Sequence, residues 1–131
     1  MHDMKNSKIP KFDSYVCAGD SVQWDHEGYS FTARIEFDDN IDITDFDCYS
    51  AVKIKQWKNE EWFFCGIIVS AEKNGVKLSD HAASLWGIEC NYNKTSNKYL
   101  SEVCAELQDE AIETAKYEEK RIIEALTGDK I

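Results

Sequence analysis

The sequence predicts an α+β domain: an antiparallel sheet of four to five strands, one long C-terminal helix packed on one face, and a short helix near residues 50–57. Three observations carry this prediction. Residues 29–37 alternate between apolar and polar side chains. Residues 62–71 are apolar at nearly every position. From about Tyr99 to Leu126 the apolar period changes to 3.6.

A chain of 131 residues suits one domain, and its 43% hydrophobic and 12% aromatic content with a single proline is that of a folded globule. Residues 1–18 read as a polar, partly mobile lead-in and residues 19–128 as the domain. Ser21 to Asp25 and Tyr29 to Phe37 form a hairpin about His26-Glu27-Gly28. In the second strand Phe31, Ala33, Ile35 and Phe37 mark the buried face, opposite Ser30, Thr32, Arg34 and Glu36. Residues 38–47 are an acidic loop. Val52 to Lys55 alternates like a strand, yet Val52, Ile54 and Trp57 also share a helical face, and a short helix is preferred.

Trp62 to Ala71 reads as a central strand covered on both faces. Asn74-Gly75 is a two-residue hairpin turn leading into Val76 to Leu78, and Ala83 to Cys90 is a further strand. In the long helix Leu100, Val103, Cys104, Leu107, Ala111, Ala115, Ile122 and Leu126 form one stripe, with Asn97 as N-cap and Gly128 as the stop. One long helix covers only one face of the central strand. The short helix, the lead-in or a second copy of the chain is expected to cover the other, which makes a homodimer an open alternative.

No run of about 18 apolar residues exists, and Met1 to Phe12 lacks the apolar core of a secretory signal, so a soluble, cytoplasmic protein is expected. Cys17, Cys48, Cys65, Cys90 and Cys104 are scattered, without a C-x-x-C pair, and are expected to be reduced, structural thiols. The net charge of −10 is uneven: residues 20–49 hold nine acids and one base, residues 99–131 nine acids and four bases, and residues 50–98 seven lysines and five acids. This balance argues against direct binding of nucleic acid or anionic lipid.

The densest chemistry is Glu36, Asp38, Asp39, Asp42, Asp45 and Asp47, six acids in twelve residues with no base among them. Divalent-metal binding is one reading, because hard cations seek clustered carboxylates. Aligned on an EF-hand loop from Asp38, Asn40 and Asp42 fit, but Ile43 stands where glycine is needed and Tyr49 where a bidentate glutamate belongs. A solvated acidic loop is the plainer reading. A third is a protein-binding surface that imitates nucleic acid, joined by Glu102, Glu106, Asp109 and Glu113 along the helix. Those four charges span roughly 16 Å, one per ~4–5 Å, against one per ~3.4 Å on each strand of a duplex. The helix alone is too sparse; loop and helix side by side come closer.

Catalytic patterns are missing. His81 lies between Asp80 and Ser84, but no nucleophile elbow or oxyanion site accompanies it. Neither a phosphate-cradling glycine loop nor an H-E-x-x-H motif occurs, and no cofactor is expected. Arg34 is expected to pair with Glu36 or Glu89.

Ala83-Ser84-Leu85-Trp86-Gly87-Ile88-Glu89, preceded by Trp62-Phe63-Phe64-Cys65-Gly66-Ile67-Ile68-Val69, resembles a family of small phage and plasmid proteins. Gly28-Tyr29, Ala33-Arg34-Ile35-Glu36 and Tyr99-Leu100-Ser101-Glu102-Val103 fit the same pattern, over roughly residues 20–115. The family has no settled activity, so the resemblance transfers no site. It implies a tie to mobile elements, where small acidic proteins often antagonise restriction or CRISPR systems. The resulting expectation is a non-enzymatic interaction protein. It presents the acids at 36–47 and at 102–113 to a basic surface of a host nucleic-acid-binding protein.

Overall fold

A computed structural model describes residues 7–93 and 95–130. The domain is α+β. Strands β1 (Ser21–His26), β2 (Tyr29–Phe37), β3 (Phe63–Lys73) and β4 (Val76–Cys90) form one antiparallel sheet in chain order. Helix α1 (Ala51–Lys58) and a single 3-10 turn (Ile43–Asp45) lie between β2 and β3, and helix α2 (Lys98–Thr127) follows β4.

Each hairpin is set by local chemistry. Glu27 and Gly28, and Asn74 and Gly75, all take positive φ, as a two-residue turn matched to the strand twist requires. Within the ambiguous segment 48–58, Ala51–Lys58 is helix, and Ser50 caps it by accepting a hydrogen bond from Lys53 N at 3.2 Å.

The two strands expected at 76–78 and 83–90 are one strand of fifteen residues, interrupted by bulges. Ala71 pairs with Ser79 and Val69 with Ala83, so β4 carries two extra residues there; Ile67 pairs with Leu85 and Cys65 with Ile88, which inserts one more. The polar Asp80-His81 interruption is therefore a bulge within a strand, not a break between two. Bulges also disturb the free edge of β4 and make it a poor template for another strand.

The main core lies between the sheet and α2. Phe31, Ala33 and Ile35 of β2, Cys65, Ile67, Val69 and Ala71 of β3, and Leu100, Val103, Cys104, Leu107, Ala111, Ile112 and Ala115 of α2 are buried together. Ile112 belongs to this face although the expected stripe omitted it. Leu126 was expected in the stripe but is 82% exposed, because α2 runs past the sheet. Glu119 meets Tyr29 and Lys73 at the hairpin end of the sheet, and the eight helical residues after it, about 12 Å, continue past them. Gly128 ends the helix at φ 76° with its N–H on Glu124 O, as expected of a glycine stop.

Asn97 occupies the N-cap position without capping. Its Oδ1 accepts from Asn91 N at 2.9 Å and its Nδ2 donates to Asn91 Oδ1 at 2.8 Å and to Ser14 O at 2.9 Å. Those bonds tie the start of α2 to the residues before β1. Residues 1–6 of the expected lead-in lie outside the described residues. Residues 7–18 are packed on the domain: Ser7 exchanges two hydrogen bonds with the Asp25 backbone, Val16 is buried, and Ile9 and Phe12 lie against the core.

The second face of β3 is covered without a second copy. Phe64 packs with Trp62 and Ile43 in a separate small core, flanked by Ile41, Tyr49, Ile54, Trp57 and Tyr92. The Trp86 ring lies over Gly66, where a Cβ would sit 2.3 Å from ring carbon Cε3, so only glycine admits the indole. The rest of that face carries the polar Thr32, Arg34, Glu36, Ser70 and Ser84 around the buried Ile68. The expected shortage of cover is thus met within the chain.

Cys65 and Cys90 are joined by a disulfide with Cα atoms 6.4 Å apart, which corrects the expectation of five reduced thiols. The pairing was hidden because the two cysteines meet across neighbouring strands, 25 residues apart, only in this register. Cys104 is buried and its thiol is pushed up to about 12 by loss of water, so it is an inert packing group. Cys17 and Cys48 are exposed.

The last third of α2 is fastened to the hairpin ends by Glu119. Tyr29 OH donates to its Oε1 at 2.6 Å and Lys73 Nζ to its Oε2 at 2.8 Å. The Lys73 and Tyr29 hydrogen bonds hold the Glu119 carboxyl below its ordinary range. A carboxylate with a depressed folded pKa stabilises fully above its unfolded pKa, and the contribution is lost as pH falls through the folded value. Glu119→Gln is therefore expected to cost about 1–2 kcal/mol at neutral pH. The gap to wild type should close as denaturation midpoints are followed into acid; a gap constant with pH would contradict this assignment.

Candidate functional site

The acidic loop is built on an apolar underside. Ile41, Ile43 and Tyr49 face the Trp62–Phe64 core, which turns the intervening polar residues outward. The six acids expected to act together do not share one role. Asp38 is only 6% exposed and is committed to the fold. Its N–H donates to Phe64 O at 2.9 Å, its Oδ1 accepts from Asn40 N at 3.2 Å, and its Oδ2 accepts from Gly87 N at 3.1 Å. It pins the loop to the second bulge of β4 and is not a partner-facing group.

Glu36 receives Arg34 Nε at 3.1 Å, along one strand rather than across two, while Glu89 is taken by the Tyr49 hydroxyl. Asp42 caps the 3-10 turn, accepting from Thr44 Oγ1 at 2.7 Å and Thr44 N at 2.9 Å, and these bonds lower its pKa. Asp39, Asp45 and Asp47 are exposed and spend no side-chain bond inside the described residues. Among the described residues no three His, Cys, Asp or Glu side chains gather into a metal-holding group.

The helical acids fare differently. Glu102, Glu106, Asp109 and Glu113 are all exposed, on the side of α2 opposite the buried Leu100, Val103, Cys104, Leu107 and Ala111. None is engaged in an ion pair or side-chain hydrogen bond among the described residues. Glu110, omitted from the expected stripe, is exposed beside them. The sequence signal for it was available, since 106, 110 and 113 are neighbours on a helix surface.

Loop and stripe are not adjacent. The loop packs on Phe64, and α2 packs on Cys65 and Ile67. Successive strand residues point to opposite faces, so the two acid groups lie on opposite sides of the sheet. The single merged acid surface that duplex imitation needs is absent from one copy of the chain.

Two aromatic clefts were invisible as sites in the sequence, where their residues read as packing. One, of about 530 Å³, lies between the residues before β1 and α1 and is lined by Tyr15, Phe37, Trp57, Trp62 and Phe63. Phe37, expected on the buried face of β2, is 56% exposed at its rim and stacks on Phe63 with centroids 6.0 Å apart. A second, of about 390 Å³, is walled by Leu85, Trp86 and Tyr99 beside Glu89. His81 Nε2 does approach Ser84 Oγ at 2.7 Å, but Asp80 is taken by Lys77 at 2.7 Å and neither cleft includes the pair.

Fold and surfaces together define a four-stranded antiparallel α+β domain whose covering helix carries an unspent acid face. Among the described residues no helix is long and apolar enough to cross a membrane. Comparison of the chain with family models, with curated proteins and with solved structures finds no match.

Proposed function

We propose that the protein is a non-enzymatic interaction protein that presents the acid face of α2 to a basic surface of a partner. One observation carries this reading: Glu102, Glu106, Asp109, Glu110 and Glu113 are exposed, free of bases over 99–115, and held on a helix whose other side is locked into the core. Charges fixed on a rigid element lose little freedom on binding, and a concentrated like-signed face speeds and orients encounter with an opposite one. The loop acids take a secondary place, because Asp38, Asp42 and Glu36 are already engaged in the fold.

The partner class that fits is a nucleic-acid-binding protein, whose basic surface is shaped for spaced negative charge. Resemblance to phage and plasmid proteins supports a host protein, with antagonism of restriction or CRISPR systems as the role and the cytoplasm as the place. The mechanism is occupation of a basic groove, not a copy of the duplex, since five charges over roughly 16 Å, one per ~3–4 Å, fall short of the duplex's one per ~1.7 Å.

Purified restriction and CRISPR effector proteins of a host supply the test. Binding by at least one is expected, and neutralising Glu102→Gln, Glu106→Gln, Asp109→Asn and Glu113→Gln together should weaken it by about tenfold or more. Unchanged affinity in that variant would remove the proposal.

A further inference from the structure

The smaller aromatic cleft, at the edge of β4, holds a carboxylate and no base. Tyr49, Trp86 and Tyr99 supply aromatic walls, Leu85 an apolar one and Glu89 the carboxylate, around about 390 Å³. No lysine, arginine or histidine is among the described residues that line it. Glu89 is fixed from one side: Tyr49 OH donates to its Oε2, and the Tyr49 ring is wedged against Trp62, Phe64 and Tyr92. Burial, and then Glu89, raise the Tyr49 hydroxyl pKa, so the phenol stays the donor. Glu89 Oε1 has no partner among the described residues. Asp38 adds a second negative charge behind the wall, its Oδ2 accepting from Gly87 N at 3.1 Å. Trp86, seated on Gly66, is 43% exposed and Tyr99 is 46% exposed, so both offer ring surface to a ligand.

This chemistry selects a cation, and a particular kind. The neighbouring small core already holds one: Lys53 Nζ donates to Tyr92 O and stands 4.1 Å from the Tyr92 ring centroid. An ammonium is a compact, strongly hydrated charge, and aromatic walls with one open carboxylate oxygen replace little of its water. A guanidinium is planar and weakly hydrated, and it stacks on rings while one edge meets a carboxylate. The segment before Ser7 does not supply the occupant. Ser7 is bonded to Asp25 on β1, at the far edge of the sheet from β4 and level with Glu72, whereas Glu89 is level with Phe64. About 26 Å along the strands and about 14 Å across them separate the two places, against at most about 22 Å of chain in residues 1–6.

We propose that this cleft is a subsite for the guanidinium of an arginine side chain on a polypeptide partner, packed against Trp86 and Tyr99 with one edge on Glu89 Oε1. Tyr99 stands three residues before Glu102, a neighbour on the surface of α2, so the cleft opens at the head of the acid face. The polypeptide source rests on the acid-face reading; the guanidinium chemistry does not.

Titration of the whole chain with the tripeptide acetyl-Gly-Arg-Gly-amide, read from the Trp86 indole and Gly87 amide signals in nitrogen-15 spectra, tests it. Saturation with a dissociation constant on the order of 1–10 mM is expected for a single residue. The lysine tripeptide should bind at least about threefold more weakly, and the citrulline tripeptide, alike in shape but uncharged, should give no saturable shift. Ethylguanidine, which lacks the peptide, should also be about threefold weaker or more. Glu89→Gln, which can still accept from Tyr49, should weaken the arginine tripeptide by about fivefold or more at an unchanged melting temperature, and Tyr99→Ala by about threefold. Neutralising Glu102, Glu106, Asp109 and Glu113 should leave this binding within about threefold, so failure of the acid-face reading is told apart from failure here. Lys94 lies outside the described residues, and Lys94→Ala should bind within about twofold of wild type. No saturable shift with the arginine tripeptide, equal binding of the lysine or citrulline tripeptide, or indifference to Glu89→Gln would overturn the subsite. Ethylguanidine binding as tightly as the tripeptide would overturn the polypeptide source, and binding gained only in Lys94→Ala would make the chain's own lysine the occupant and overturn the proposal as well.

Discussion

Trp62→Ala is expected to destabilise the domain by about 3–5 kcal/mol, the cost typical of deleting a buried tryptophan. Trp62 is 1% exposed and stands at the centre of the smaller core. Its ring lies 4.9 Å from Tyr92, 5.1 Å from Phe64 and 5.4 Å from Tyr49, centroid to centroid. Its Nε1 donates to Lys53 O at 2.9 Å, which fixes α1 to the start of β3. Truncation leaves a cavity between three aromatic rings and strips a carbonyl of its partner. No neighbouring chain segment is free to collapse into the space, because Tyr49 is itself held by Glu89 and Lys53 by Tyr92 O. Urea titration followed by far-ultraviolet circular dichroism measures the loss. Trp62→Phe should fall between the two, keeping packing but not the hydrogen bond. A loss under about 1 kcal/mol for the alanine variant would mean that the second core does not form as described.

Reduction of Cys65–Cys90 is expected to cost about 3–4 kcal/mol. The bond closes a 25-residue separation, and its main effect is to restrict the unfolded chain. The folded state should tolerate the reduced pair, since two thiols on the core face behave as small hydrophobes. Denaturation midpoints with and without reductant give the difference. Alkylation of the unfolded chain without reductant gives the count directly. Three modified cysteines are expected, Cys17, Cys48 and Cys104, and five would contradict the disulfide.

The disulfide also shows where sequence reading stops. Cys65 and Cys90 come within reach only because bulges in β4 shift its register against β3; without them Cys65 would face Ser84, six residues from Cys90, instead of Ile88. Bulges respond to tertiary packing, and a polar Asp80-His81 interruption looks the same in sequence whether a strand bends or ends. The long helix was legible because its apolar period persists over several turns, and the second hairpin because Asn74-Gly75 names its own turn type. The sequence places the first at His26-Glu27-Gly28, whereas His26 pairs with Tyr29 and the turn is Glu27-Gly28 alone. Leu126 kept the period yet lies in solvent: periodicity tells which side of a helix is apolar, not how far the sheet beneath it reaches.

The acids divide for a similar reason. In sequence Asp38 is one of a run of like residues, and only the fold brings Gly87 N within 3.1 Å of it. Glu102 to Glu113 were readable as an outward face because a helix fixes direction by spacing alone. The separation of loop and helix by the sheet follows from strand alternation at Phe64 and Cys65, a fact available in principle but dependent on knowing which face each element covers.

The claim that the α2 acid face is the binding surface is tested most directly by comparing two neutralised variants against one bound partner across a salt series. The helix variant carries Glu102→Gln, Glu106→Gln, Asp109→Asn and Glu113→Gln; the loop variant carries Asp39→Asn, Asp45→Asn and Asp47→Asn. Wild-type affinity should fall as salt rises, the helix variant should bind weakly with a flattened salt dependence, and the loop variant should follow wild type within about threefold. Salt-independent wild-type binding, or a loss confined to the loop variant, would contradict it.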